Sequence, residues 1–219
     1  MRILAFDTSS KTASVSILCD EVVLYETIIN MGLNHSEVLL PVIEHACYQT
    51  GIKINDFDLF ACTIGPGSFT GLRIGASTLK GFTLASGKPA VGVSSLAALA
   101  LNVGKTSKKI CSVMDAGRGQ VYCACFQFQE NGLLEQIGNE QVVKPSEMNN
   151  VQNTIYIGDG AIKYADIFNV PSNEIVFPYQ SYCRGSCVGI LGKEKYEKNE
   201  LLDPDTFIPR YLRSHDAQI

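Results

Sequence analysis

At 219 residues, with 46% apolar and 18% charged side chains, the chain has ordinary globular composition and room for one large domain or two small lobes. A formal net charge of -4 argues against a strongly basic nucleic-acid binder acting alone, so any RNA would take most of its phosphate contacts from a partner. No apolar run reaches membrane-spanning length; the longest, 90–103, is broken by Gly92, Ser94 and Ser95. The N-terminus runs directly from Met1 to Asp7 without a signal-peptide pattern. A cytoplasmic location and reduced thiols at the eight cysteines are therefore expected. Cys62, Cys111, Cys123 and Cys125 lie in apolar runs, where cysteine acts as a small hydrophobe. Cys183 and Cys187 are spaced too widely for the usual metal knuckle, and no second pair completes a site.

Along the chain, residues 3–7, 13–18 and 22–29 read as three short strands of an antiparallel meander. From His35 to Thr50 the period changes: Val38, Leu39, Val42, Ile43, Ala46 and Cys47 recur at helical spacing, and Gly51 supplies a stop. Pro41 falls in the first two turns, where its cost is smaller. Residues 59–64 form a continuous apolar run suited to a strand buried on both faces. A Gly65-Pro66-Gly67-Ser68 turn follows, then a helix from about Thr70 to Ser86 closed by Gly87. Another buried strand is expected at 90–93, and Ser94 or Ser95 can cap a helix over 96–102. The order is mixed α/β.

The second half restarts the pattern. Cys111 to Gly117 matches Ile3 to Ser9, and an alternating strand follows each at the same distance, 13–18 and 121–126. Thr63-Ile64-Gly65-Pro66-Gly67 is echoed by Tyr156-Ile157-Gly158-Asp159-Gly160. This long-period self-similarity predicts a duplicated lobe. The division falls in the polar stretch 104–109, giving lobes over 1–104 and 105–219. A helix is expected over 185–198, followed by a tail containing Pro204 and Pro209.

Asp7-Thr8-Ser9-Ser10 sits at a strand end entering a hairpin. Such a position can cradle phosphate oxygens while the carboxylate orients water or a divalent metal, or it can be a plain side-chain-to-backbone turn. Gly65-Pro66-Gly67 before a helix could receive an anion at the helix N-terminus or serve only as a tight turn. It lacks the Gly-Lys-Ser/Thr ending of a Walker loop.

The stretch Gly65-Pro66-Gly67-Ser68-Phe69-Thr70-Gly71-Leu72-Arg73-Ile74-Gly75, continuing through Ala76, Lys80 and Lys88-Pro89 to Val91–Leu96, resembles the signature of the TsaB (YeaZ, glycoprotease-like) family. Supporting matches are Phe6–Ser9, His35-Ser36 with Leu40-Pro41, Met114–Tyr122, and Pro209-Arg210-Tyr211-Leu212-Arg213. The resemblance is strong to about residue 125 and patchy beyond. It implies a two-lobe actin-like (ASKHA, RNase H-like) α/β fold, each lobe a mixed sheet with helices and the second lobe reduced. It also implies a non-catalytic subunit that pairs with the catalytic paralogue TsaD. Assisted by the ATPase TsaE, the complex attaches threonylcarbamoyl to the adenosine beside the anticodon of transfer RNA. In actin-like ATPases the strand-end turn holds phosphate, so Asp7, Thr8, Ser9, Gly65 and Gly67 become a possible vestigial nucleotide site.

In the catalytic paralogue the strand after the glycine-rich frame leads into His-x-x-x-His, which binds the metal. Here Gly92-Val93-Ser94 leads into Ser95-Leu96-Ala97-Ala98-Leu99, and neither Ser95 nor Leu99 can replace an imidazole. His35, His45 and His215 do not rebuild the pair, and no G-x-S-x-G elbow occurs at Ser9, Ser68 or Ser95. No catalytic residue, metal or cofactor is expected of the chain itself. The alternatives are an actin-like phosphotransferase using Asp7 and Thr8, and a metallopeptidase.

A binding surface remains. Gly71, Gly75 and Ala76 beside Leu72 and Leu79 would let another helix approach, and the apolar residues of helix 35–50 exceed one narrow stripe. Spacing alone leaves open a deeply buried core helix. The resemblance points to an interface, with TsaD or with a second copy of the chain, through Leu39, Leu40, Ile43, Cys47, Gly71, Leu72, Gly75, Ala76 and Leu79. Leu39→Asp or Gly75→Arg would then abolish pairing and leave the monomer folded. Arg210, Tyr211 and Arg213 make the tail locally basic, with a solvated terminus as the default.

Overall fold

The computed structural model describes residues 1–30, 32, 34–148 and 152–213; His215 lies outside them. The first part of the chain builds β1 (Arg2–Asp7), β2 (Ala13–Cys19), β3 (Val22–Ile29), α1 (His35–Thr50), β4 (Leu59–Gly65), α2 (Phe69–Ser86), β5 (Ala90–Ser94) and α3 (Ser95–Leu101). The second builds β6 (Lys109–Gly117), β7 (Gln120–Phe128), β8 (Leu134–Val143), β9 (Thr154–Ile157), α4 (Asp159–Lys163), α5 (Ala165–Phe168), β10 (Glu174–Ile175) and α6 (Gly185–Glu197). Among the described residues no helix is long and apolar enough to cross a membrane.

The strands form two five-stranded sheets, ordered β3-β2-β1-β4-β5 and β8-β7-β6-β9-β10. In each, the first three strands pair antiparallel and the last two join parallel. The internal echo in the sequence is therefore a structural repeat, and the architecture is the two-lobe actin-like α/β fold. The second copy is reduced: among the described residues a single 3-10 turn at Pro145–Glu147 stands where the first lobe has α1, and α4 with α5 stand where it has α2. β8 and β10 carried no sequence signal. β8 is a polar edge strand whose residues are mostly exposed, so no apolar alternation marks it.

β1 is buried on both faces, which is why its five buried residues read as an uninterrupted run. Leu4 and Phe6 face a core under α1 and α2 with Leu39, Ile43, Phe60 and Leu79. Ile3 and Ala5 face a second core shared with α6 and the other lobe, including Val188, Ile110, Met114 and Phe126. Four helix ends have a local cause. Gly51 and Gly87 adopt left-handed φ of 70° and 69° to stop α1 and α2. Ser68 and Ser94 accept hydrogen bonds from Gly71 N and Ala97 N to start α2 and α3.

Two expectations change. First, α6 and the tail do not stay with the second lobe. α6 packs on β1, β2 and β4, and Leu202 and Phe207 pack against the first lobe's core. α3 makes the reverse exchange, lying on β6 and β7, with the Ser112 hydroxyl donating to Leu96 O at 2.7 Å. Each lobe's last helix covers the other lobe's sheet, so no single cut separates the lobes. Second, Cys111 and Cys125 are joined by a disulfide, and the other six cysteines are free. The two stand directly opposite in the β6–β7 register with Cα atoms 4.2 Å apart, a spacing that brings facing side chains together.

Candidate functional site

The turn after β1 is sealed. Asp7, Thr8 and Ser9 are at most 1% exposed. Asp7 Oδ1 accepts from the Thr63 hydroxyl at 2.6 Å and from Ser9 N at 3.1 Å, while Oδ2 has no hydrogen-bond partner. Burial pushes its carboxyl above the ordinary range, against the pull of the hydrogen bonds from Ser9 and Thr63.

What seals it is α2. A Cβ on Gly67 would sit 2.2 Å from Ser9 O, on Gly71 2.0 Å from Thr8 O, and on Gly75 2.5 Å from Thr8 Oγ1. Gly71 and Gly75 stand one turn apart on α2 and Gly67 lies in the turn before it, so together they form one small-residue stripe. The stripe admits the chain's own β1–β2 turn, not a foreign helix. Ser68 N donates to Ser9 O at 2.7 Å and the Thr8 hydroxyl to Gly71 O at 2.8 Å, riveting the two segments together. Gly65 has φ of 121°, and a Cβ there would meet Arg210 O at 2.3 Å.

Of the phosphate-site residues, Ser9 and Gly67 reach the cleft between the lobes, whereas Asp7, Thr8 and Gly65 lie behind its wall. The cleft has a volume of about 940 Å³ and is also lined by Lys11, His35, Asp115, Arg118, Asp159 and Arg213. His35, the first residue of α1, places Nε2 2.7 Å from Ser10 O. Across the cleft Asp115 pairs with Lys163 at 2.7 Å, and Asp159 accepts from Asp115 N at 3.0 Å. Burial and then the neighbouring Asp115 charge push the Asp159 carboxyl up. Among the described residues no group of three or more His, Cys, Asp and Glu is placed to hold a metal ion.

The two-helix face also differs from expectation. Leu39, Ile43, Leu72, Ala76 and Leu79 are buried in the chain's own core, as are Gly71 and Gly75, and Cys47 is half-buried. Leu39→Asp would place a charge among core residues and Gly75→Arg would strike Thr8, so both would damage the monomer itself. Leu40 alone of the nine is open, at 54% exposure. It lies on a groove between α1 and α2 with Ser36, Phe69, Thr70, Arg73, Ile74, Ser77 and Thr78. Helical periodicity located the helices correctly but could not tell the stripe facing the sheet from the one facing out.

The described part of the tail, to Arg213, is docked, not solvated. Arg210 N donates to Ile64 O at 2.7 Å, and its guanidinium reaches Glu140 at 2.6 Å. Glu140, with a fully buried side chain, also accepts from the Ser94 hydroxyl at 2.5 Å. The Tyr211 ring packs 4.8 Å from Phe69, and Arg213 donates to Ala116 O and Gln120 Oε1. Glu140 was missed because nothing in the polar run around it distinguishes a buried carboxylate from an exposed one.

Comparison with known proteins adds to this geometry. The family model described as TsaD: tRNA N6-adenosine threonylcarbamoyltransferase matches residues 30–219. The tRNA threonylcarbamoyladenosine biosynthesis protein TsaB of Bacillus subtilis (strain 168) is 32% identical over 226 residues, spanning 100% of this chain and 96% of that protein. YeaZ from Pseudomonas aeruginosa superposes with a TM-score of 0.81 at 25% identity, covering 96% of this chain and 100% of that one. A second Pseudomonas aeruginosa structure, of a protein with similarity to peptidase YeaZ, gives 0.84 at 24% identity over 97% and 99%. A full-length relative above 30% identity, together with a family match over most of the chain, shows that this protein belongs to the TsaB (YeaZ) family, built on the TsaD-type frame.

Proposed function

We propose that the chain is a non-catalytic scaffold subunit of tRNA N6-threonylcarbamoyladenosine synthesis, working in the cytoplasm and docking a TsaD-type catalytic paralogue on the α1/α2 groove. The observation that carries this reading is the groove itself. Leu40 stands half-exposed between two helices whose inner faces are already filled, and an apolar side chain held open in a groove suits a helix-on-helix partner. The name of the Bacillus subtilis relative supplies the pathway. The same face would pair two copies of the chain when the partner is absent. TsaE and transfer RNA would join through the complex.

The non-catalytic part rests on two features. At the start of α3, where the paralogue's imidazoles would stand, Ser95 and Leu99 are 0% and 2% exposed and pack inward. The carboxylate best placed by sequence for phosphoryl chemistry, Asp7, has no path to a ligand.

The test is co-purification with a TsaD-type partner, followed by modification of transfer RNA with TsaE and ATP. Leu40→Asp is expected to abolish both complex and modification while the monomer melts as wild type. Retained complex formation would overturn the assigned face. Threonylcarbamoyl transfer by the isolated chain would overturn the scaffold role.

A further inference from the structure

Of the described residues lining the α1/α2 groove, Arg73 alone is charged; Glu37 and Glu44 of α1 are not among them. Arg73 is exposed, and among the described residues it pairs with no carboxylate. An exposed arginine ordinarily samples many rotamers, and a partner that uses it must freeze them. Arg73 is already held. Its guanidinium carbon lies 3.8 Å from the centroid of the Phe69 ring, one helical turn back along α2. Its Nε donates to the Tyr211 hydroxyl at 3.4 Å, and the Tyr211 ring packs 4.8 Å from Phe69. Tyr211 is fixed in turn, although it comes from 138 residues further along the chain. On one side of it Arg210 N donates to Ile64 O at 2.7 Å, and on the other the Arg213 guanidinium donates to Ala116 O at 3.0 Å. The tail therefore delivers a hydroxyl that steadies a groove cation.

Leu40 and Arg73 line the same groove, so an occupant would set an apolar side chain on the first and a counter-charge on the second. A single cation among apolar and hydroxyl groups suits one carboxylate on a protein surface and not a phosphate backbone, which draws several cations. In a two-fold dimer the facing copy would bring only the same groove, with no carboxylate lining it. A heteromeric partner is the better match. We infer that Arg73 is a preset anchor for an acidic side chain of the TsaD-type partner, and that Tyr211, reaching it from the tail, is its positioning residue. The inference rests on the docking face proposed above and adds two things to it: the charge that the partner must carry, and a part for the tail in recognition.

The experiment titrates the intact chain with the TsaD-type partner in a calorimeter and melts each free variant alongside. Arg73→Ala is expected to weaken the complex about thirtyfold, as truncating an arginine hot spot does. Tyr211→Phe keeps the ring on Phe69 and removes only the hydroxyl, and is expected to weaken the complex about fivefold. Both free variants should melt close to wild type. In the Arg73→Ala background Tyr211→Phe should have no further effect, because a positioning residue acts only through the group it holds. Carbodiimide treatment of the Arg73→Lys complex should join the introduced amine to an Asp or Glu of the partner, located by mass spectrometry. Unchanged affinity in Arg73→Ala, additive losses in the double variant, or joining of the amine to a second copy of this chain instead would each overturn the inference. Leu40→Asp separates the two readings. If it binds as wild type, the docking face itself falls and the anchor with it; if it loses the partner while Arg73→Ala does not, the anchor alone falls.

Discussion

Asp7 closes β1 in the first lobe, and Asp115 holds the matching place near the end of β6 in the second, yet the two carboxylates have opposite surroundings. Asp7 is fully buried, with one oxygen unpartnered. Asp115 faces the cleft and pairs with a half-exposed Lys163. The strands and their order are the same; what differs is the helix that follows. α2 runs 18 residues and, with Gly67 in the turn before it, sets Gly71 and Gly75 against the β1–β2 turn, whereas α4 runs only 5 and leaves its turn open to the cleft. The first lobe uses the repeat as a closed structural joint beneath the α1/α2 groove. The second keeps the open, charged half. A strand-end aspartate therefore says nothing about chemistry until the helix beside it is known.

The sharpest way to break this contrast is to pry α2 off its turn. Gly71→Val puts side-chain atoms where Thr8 O now lies. It should cost about 4 kcal/mol, as overpacking against fixed backbone does, lowering Tm by about 8–16 °C. Calorimetry measures this directly, and a shift under a few degrees would mean the joint is not sealed.

The next effect concerns what ties the lobes together. Arg210→Ala leaves Glu140 buried with only the Ser94 hydroxyl. Because Arg210 is itself half-exposed, a loss of about 2 kcal/mol is expected. Faster hydrogen exchange along β8 and 203–213 would accompany it.

Glu26 on β3 is the corresponding clamp on α6. It accepts from the Ser16 hydroxyl and Ser186 N, both at 2.9 Å, and pairs with Arg184. Burial raises its pKa, but the Arg184, Ser186 and Ser16 hydrogen bonds outweigh that and hold it below the usual carboxylate range. A depressed pKa means that the stabilisation is present above the unfolded value of 4.5 and is lost as pH falls through the lower folded value. Glu26→Gln should thus cost about 1–2 kcal/mol at pH 7, and its Tm should converge with the wild type in acid. A constant difference across pH would refute this account.

The smallest effect sharpens the comparison most directly. Asp7 has a raised pKa, so the native state holds the proton more tightly than the unfolded chain, and stability declines as pH rises from 3.8 through the folded value. Asp7→Asn keeps an acceptor for Thr63 and removes the buried charge. It should raise Tm slightly at pH 8, with the gain vanishing toward pH 4. Asp115→Asn breaks only an exposed pair and should leave Tm where it was. Equal behaviour of the two variants in thermal melts would erase the distinction between the lobes.

Sequence alone determined the strand runs at 3–7, 13–18, 22–29 and 59–64, the helices at 35–50 and about 70–86 with their glycine stops, and the duplication. Each of these is written in local periodicity and turn chemistry, which do not depend on distant neighbours. The family signature was equally legible, being a string of residues. Tertiary structure alone decided the rest. It paired Cys111 with Cys125 through strand register, sent α6 to the opposite sheet, docked the tail through Arg210, and turned Gly71 and Gly75 toward Thr8 instead of toward a partner. Burial of a helix face depends on what lies across from it, and a period of 3.6 residues carries no record of which stripe meets the core.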